Sequence, residues 1–198
     1  MIAATEEQLD TLREVVNIGI GKAASIFNGM LDSHVELEVP SIIMFDPKNP
    51  GEKLADVNHD GLSSVQLDFH GPFSGSSALV FPSESVGKLV TALTGEEPDS
   101  EGFDETTSGT LYEIGNILIN AVMGSIANLL AAQIDFSPPS YKEGSFTDLI
   151  KQKDSKEDLA FLLIRANFKV QEPQISGNLF LVFELGSFGE LLTAIDNL

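Results

Sequence analysis

Residues 11–41 read TLREVVNIGIGKAASIFNGMLDSHVELEVPS, and residues 110–140 read TLYEIGNILINAVMGSIANLLAAQIDFSPPS. The second stretch lies 99 positions after the first, without a gap, and nine of the 31 positions are identical. Chance at ordinary amino-acid usage would give about two. The shared residues include Leu12/Leu111, Glu14/Glu113, Asn17/Asn116, Ile18/Ile117, Leu31/Leu130, Pro40/Pro139 and Ser41/Ser140. A second offset, of 102 positions, lays residues 74–93 on 176–195 with ten of 20 identical, among them Leu79-Val80-Phe81 and Leu181-Val182-Phe183. The two offsets differ by only three residues, so both windows belong to one duplicated unit of about 95 residues. A repeat this long, present twice, does not make a solenoid. Two copies folded against each other about a pseudo-two-fold axis is the simpler expectation. One domain over 1–198 then holds a first copy at about 6–95 and a second at about 106–198. An acidic, Gly- and Pro-containing connector lies near 94–108.

The duplicated unit begins with a long helix. Thr5 followed by Glu6, Glu7 and Gln8 is an N-terminal capping pattern with acids in the first turn. Leu12, Val16, Gly19, Ala23, Phe27 and Met30 then recur at i+3 and i+4, which predicts one buried face over residues 6–31. Residues 107–133 are the matching helix. Three strands follow in each copy, near 35–45, 61–69 and 75–81, and near 134–141, 159–168 and 176–183. Short helices near 83–93 and 188–196 close the copies. About six strands and four helices, in runs rather than in alternation, predict an α+β fold with an antiparallel sheet.

Composition narrows the function classes. The chain has 198 residues, 42% of them hydrophobic, enough for one sizeable core. Its 30 acids against 11 basic residues give a formal charge of −19, which leaves little to build a phosphate-neutralising face, so no nucleic-acid partner is expected. Lys151, Lys153 and Lys156 are interleaved with acids and read as a solvated loop. Cysteine is absent, which removes thiol chemistry and fits a cytoplasmic protein. The start, MIAATEEQLD, lacks the basic and apolar regions of a secretory signal. The most apolar stretch, 114–134, is interrupted by Asn116, Asn120, Gly124, Ser125 and Asn128, so no membrane insertion is expected. His34, His59 and His70 form no metal-ligand motif and read as strand-end, loop and sheet residues. Ser74-Gly75-Ser76-Ser77 lacks the lysine of a phosphate loop and reads as the start of a strand.

The polar face of the first helix is more informative. At about 100° per residue, Asp10, Glu14, Asn17 and Gly21 fall within about 40° of the pole opposite Leu12. An acid and an amide therefore face solvent one turn apart. Glycine in an exposed helix interior costs about 1 kcal/mol relative to alanine. Close approach by another molecule is one use that offsets this cost at Gly21. The second copy keeps Glu113 and Asn116 on the same face, with Gly109 in place of Asp10 and Asn120 in place of Gly21. A single exposed Glu–x–x–Asn is ordinarily no more than solvated helix surface. Retention in both copies, where neighbouring surface positions have diverged, points to a function.

These residues resemble the signature of the CheC/CheX/FliY phosphatase family: Asp or Ser, three residues, Glu, two residues, Asn, then twenty-two residues and Pro. The first copy has Asp10, Glu14, Asn17 and Pro40, and the second has Glu113, Asn116 and Pro139. Gly109 departs from the pattern, and neither Ser108 nor Thr110 beside it is in register. Two motifs over nearly the whole chain look like the CheC branch. CheX-like chains are shorter with one motif, and FliY-like chains add a flagellar-switch domain.

The resemblance implies hydrolysis of the aspartyl phosphate on a CheY-like response regulator. Such hydrolysis mainly needs a water held in line with phosphorus and stabilised charge, and an uncharged amide can orient that water. It implies Asn17 and Asn116 in that role, with Glu14 and Glu113 meeting the lysine beside the regulator's phosphate. Asp10 is expected to add a docking contact, and Gly21 and Asn120 to face the partner. Mg²⁺ is expected to come with the regulator, so no cofactor or metal of the chain's own is expected. Pro40 and Pro139 are expected near the start of each first strand, in a structural role. The receptor deamidase CheD is a further partner that the family implies. The duplication supplies a pseudo-dimer within one chain, so a monomer is expected. The competing reading is a non-catalytic adaptor for CheD or a regulator, or a flagellar-switch-like component; adaptor function alone would not require the paired Glu and Asn.

Overall fold

Thr5 and Gln8 start the first helix by a reciprocal capping box. The Gln8 backbone N–H donates to Thr5 Oγ1 at 3.2 Å, and the Thr5 N–H donates to Gln8 Oε1 at 2.9 Å. The structure is a computed structural model that describes residues 4–30, 35–45, 61–95, 105–145, 159–170 and 174–197. The elements run α1 (Glu6–Met30), β1 (Val35–Phe45), β2 (Leu62–His70), β3 (Gly75–Pro82), α2 (Ser83–Thr94) and α3 (Glu105–Leu129) in the first part of the chain. They continue as β4 (Asp135–Phe136), β5 (Ser140–Gly144), β6 (Leu159–Val170), β7 (Gln174–Glu184) and α4 (Leu185–Asp196). The fold is α+β, with four helices and one antiparallel sheet among the described residues. His34, His59, the lysines at 151, 153 and 156 and the middle of the connector lie outside them.

The sheet order is β1-β6-β7-β3-β2-β4, with β5 also paired to β2. The order is a palindrome of the two copies. The first strand of each copy pairs with the second strand of the other, and the two third strands meet in the middle. At that centre Ala78 stands opposite Phe180, which is its own counterpart 102 positions on. The pseudo-two-fold axis passes through this pair. Flanking pairs agree: Ser41 faces Arg165, and its counterpart Ser140 faces Gln66.

Both faces of the middle of the sheet are buried, which explains why its strands read as continuous apolar runs such as AFLLI and NLFLVF. Val65, Leu67, Phe69, Leu79, Phe81, Leu162, Ile164, Leu181 and Phe183 join the main core with the helices. Leu62, Val80, Leu163 and Phe180 make a separate cluster on the alternate positions. Gly75 opens β3 where a Cβ would collide with the Val182 carbonyl and sit 2.7 Å from Phe69 Cζ. That close packing accounts for the Ser-Gly strand start.

Three boundaries differ from expectation. The first strand of the second copy is split in two, making seven strands instead of about six. Pro138 and Pro139 have no N–H to donate to β2. The Ser137 N–H instead donates to the Asp68 C=O, and Ser137 Oγ accepts from the Asp68 N–H, each at 2.9 Å. In the first copy the same prolyl position falls inside β1, not near its start, and the register shifts between Glu38 and Ser41. Helix α3 ends four residues early. Ala131 takes a left-handed conformation at φ 47°, and the Ala132 N–H reaches back to the Ala127 C=O at 2.9 Å.

Candidate functional site

The buried face of α1 presses Leu12, Val16, Ala23 and Phe27 into the core, with Val15 and Ile20 beside them. On the opposite face Asp10, Glu14, Asn17 and Gly21 are all exposed, as the helical phase requires. Three residues apart on one helix, Glu14 and Asn17 have Cβ atoms about 5–6 Å from each other. Arg13 Nη1 donates to Asp10 Oδ1 at 2.8 Å, so Asp10 is held toward α1's own arginine. Among the described residues, no side chain hydrogen-bonds to Asn17.

Two glycines of α1 have opposite explanations. A Cβ on Gly19 would fall 2.7 Å from both the Ala121 carbonyl oxygen and the Val122 Cα, so glycine is what lets α1 lie against α3. A Cβ on Gly21 would meet nothing within 4 Å. Nothing among the described residues requires glycine there. Just beyond it, Lys22 Nζ donates to Ser125 Oγ of α3 at 3.3 Å. At the start of the helix, Gln8 Nε2 donates to both carboxylate oxygens of Asp196 at 2.9 Å, which ties α1 to α4.

The face of α3 repeats the pair with different neighbours. Glu113 is exposed, while Asn116 and Asn120 are half-buried. Asn120 Nδ2 donates to Asn116 Oδ1 at 2.7 Å. Gly109 is exposed with open space where its Cβ would be, and Ser108 and Thr110 are half-buried. The expected residues are thus brought together as two Glu–Asn pairs, one on each of two packed helices. Sequence reasoning missed the Asp10–Arg13 pair and the Asn116–Asn120 bond. The i, i+3 and i, i+4 spacings were the available signals. Among the described residues no group of three or more His, Cys, Asp or Glu could hold a metal ion, and no helix is long and apolar enough to cross a membrane.

Chemically, each pair offers a carboxylate for a cation and an amide that can accept from and donate to a water. Glu14, Asn17 and Glu113 are exposed and Asn116 is half-buried, so both pairs are open to solvent on at least one side among the described residues. A reacting group that arrives on another surface would complete such a site.

Residues 63–162 match the family model described as chemotaxis phosphatase CheX, and residues 7–44 match that of the CheC-like family. The chain is 28% identical over 201 residues to the CheY-P phosphatase CheC of Bacillus subtilis, covering 96% of this chain and 94% of that one. Among solved structures it is similar to FliY of Thermotoga maritima, with a TM-score of 0.74, 18% identity and 99% of each chain covered. It is also similar to a chain of the CheX–CheY–BeF3–Mg²⁺ complex of Borrelia burgdorferi, with a TM-score of 0.54, 20% identity and 86% and 98% covered. The duplicated Glu–x–x–Asn face, the two-fold sheet and the matched family models agree: the chain belongs to the CheC/CheX/FliY family of chemotaxis phosphatases.

Proposed function

We propose that the protein hydrolyses the aspartyl phosphate of a CheY-like response regulator, using one Glu–Asn pair on α1 and one on α3. The observation that carries this reading is the duplicated pair itself. Glu14, Asn17 and Glu113 are exposed and Asn116 is half-buried on the outward faces of α1 and α3. A substrate carried on another protein's surface suits such a site better than a small molecule does. A relative of the same fold has been captured in a complex with CheY, BeF3 and Mg²⁺.

In this reading the helix face lies against the regulator's phosphorylated aspartate. The amide oxygen of Asn17 or Asn116 accepts one hydrogen of a water, turning the water's free lone pair toward phosphorus in line with the acyl oxygen. The water oxygen bonds to phosphorus as the bond from phosphorus to the aspartyl oxygen breaks. The products are inorganic phosphate and the free aspartate. The transition state is loose, so little proton abstraction is needed and an uncharged amide suffices. Glu14 and Glu113 pair with the regulator's lysine and fix the helix over the phosphate. Mg²⁺ belongs to the regulator. Asp10 and Gly21 on α1, and Asn120 on α3, border the docking surface. The same reading has residues 1–198 as one duplicated domain acting as a monomer in the cytoplasm, with CheD as a further partner.

The test is phosphate loss from a radiolabelled, Mg²⁺-loaded CheY-like regulator of the same organism. Acceleration by the wild type, lost in the Asn17→Ala/Asn116→Ala double variant, is the expected result. Binding of the regulator without acceleration would replace this reading with that of an adaptor.

A further inference from the structure

We propose that Asn120 is a positioning residue: its amide holds the Asn116 amide in one orientation, so the second site is pre-set to orient water and the first is not. This rests on the functional reading above and concerns how its two sites differ.

The argument starts from an amide's symmetry. An asparagine side chain can turn about its last bond and exchange oxygen for nitrogen at nearly the same place. A water-orienting amide works in only one of those two orientations. On α3 the two amides face each other, and a joint flip would bury the two N–H groups of Asn120 without partners in place of its one oxygen, which favours Asn120 as the donor. Asn120 Nδ2 donates to Asn116 Oδ1 at 2.7 Å, which takes one lone pair of that oxygen and leaves the other for a water. On α1 the counterpart of Asn120 is Gly21, and no side chain among the described residues bonds to Asn17. Asn17 must therefore be oriented by the incoming regulator, while Asn116 is oriented beforehand.

A second observation says that Asn120 is not there for stability. Its Oδ1 is buried and has no hydrogen-bond partner among the described residues. A buried acceptor without a partner is destabilising. The first copy shows that a residue with no amide is accommodated at the same place on the fold. An amide that satisfies only its donor side fits a group kept for what that donor does to Asn116.

Three measurements test the proposal, all on the full chain. In the Asn17→Ala background only the second site remains, and adding Asn120→Ala should lower its saturating rate about three- to tenfold, the effect of one hydrogen bond. Asn120 also borders the docking surface, so any loss of docking is read separately, in KM, and the saturating rate carries the test. The melting midpoint should not fall. In the Asn116→Ala background only the first site remains, and Gly21→Asn should raise its saturating rate about threefold or more. A Cβ at residue 21 meets nothing within 4 Å, so this variant is expected to fold. Independently of any activity, ¹⁵N relaxation of the side-chain amides should show Asn116 more rigid than Asn17, with Asn120→Ala removing the difference.

An Asn120→Ala variant whose saturating rate is unchanged, with Gly21→Asn giving no gain, overturns the proposal even if the protein proves a phosphatase. Equal mobility of the two amides in the wild type overturns it as well. A wild type that does not accelerate phosphate loss while Asn116 is rigid and Asn17 mobile would sink the functional reading and keep the hydrogen-bonded positioning. Loss of stability in Asn120→Ala together with a proportional loss of rate in both backgrounds would mean a structural role only.

Discussion

Helices α1 and α3 hold equivalent places in the two sequence repeats and present two versions of the same face. Both keep Glu and Asn three residues apart and exposed or half-exposed. Around that pair Asp10 and Gly21 have other counterparts, and Ile18 and Ile117, identical in type, differ in exposure. On α1 the surroundings are Asp10 paired with Arg13, a bare Gly21, and Ile18 with 52% of its surface exposed. On α3 they are Gly109, Tyr112, Asn120 bonded to Asn116, and a half-buried Ile117. The contrast separates the Glu and Asn common to both helices from the neighbours that differ. It also separates the outer face of α1 from its inner face, where Gly19 is packed as tightly as Gly21 is open.

The largest expected effect tests the inner face. Gly19→Ala pushes a Cβ into the backbone of α3 and should destabilise the fold by about 3 kcal/mol, read from urea unfolding. A midpoint equal to wild type would mean that the helices do not meet there. Next come the carboxylates. Glu14→Gln and Glu113→Gln should each raise KM at their own site about tenfold, with a steep salt dependence removed and a smaller change in kcat. If either variant lowered kcat alone, that carboxylate would be acting on the water and not on docking. The third effect has the opposite sign. Gly21→Ala should stabilise the protein by about 1 kcal/mol. Weaker regulator binding at the α1 site alone would show that the glycine is kept for close approach. The smallest concerns the ion pair. Asp10 and Arg13 are 67% and 42% exposed, so Arg13→Ala should cost no more than about 0.5 kcal/mol in stability. Any larger change should appear only in docking at the first site.

Much of this was legible in the chain because the signals were periodic and doubled. The two offsets, 99 and 102, reappear as the register of the sheet, with Ser41 and Ser140 in equivalent pairings and Ala78 opposite Phe180. The 3.6-residue phase placed Leu12 and Glu14 on opposite faces of α1, and the capping box formed where Thr5 and Gln8 allow it. What was not legible depended on contacts distant in sequence or on backbone choices with no composition signal. Consecutive prolines split β4 from β5 only because β2 lies alongside and Ser137 can bridge to Asp68. An alanine in a left-handed conformation ends α3, where a glycine would have announced the stop. The central strands gave little alternation because the middle of the sheet is buried on both sides. For the candidate site, the helix face that carries each Glu and Asn was readable. The bond between Asn116 and Asn120 was not, since an i, i+4 amide pair is common on helices that do nothing.

The most direct test of two water-orienting amides on duplicated helices is the rate of regulator dephosphorylation at saturating regulator for four proteins: wild type, Asn17→Ala, Asn116→Ala and the double variant. The rates left by the two single variants should sum to that of the wild type. Asn17→Ala should keep the larger share, and the double variant should fall about 100-fold or more. A double variant as active as either single one would contradict the assignment of both asparagines.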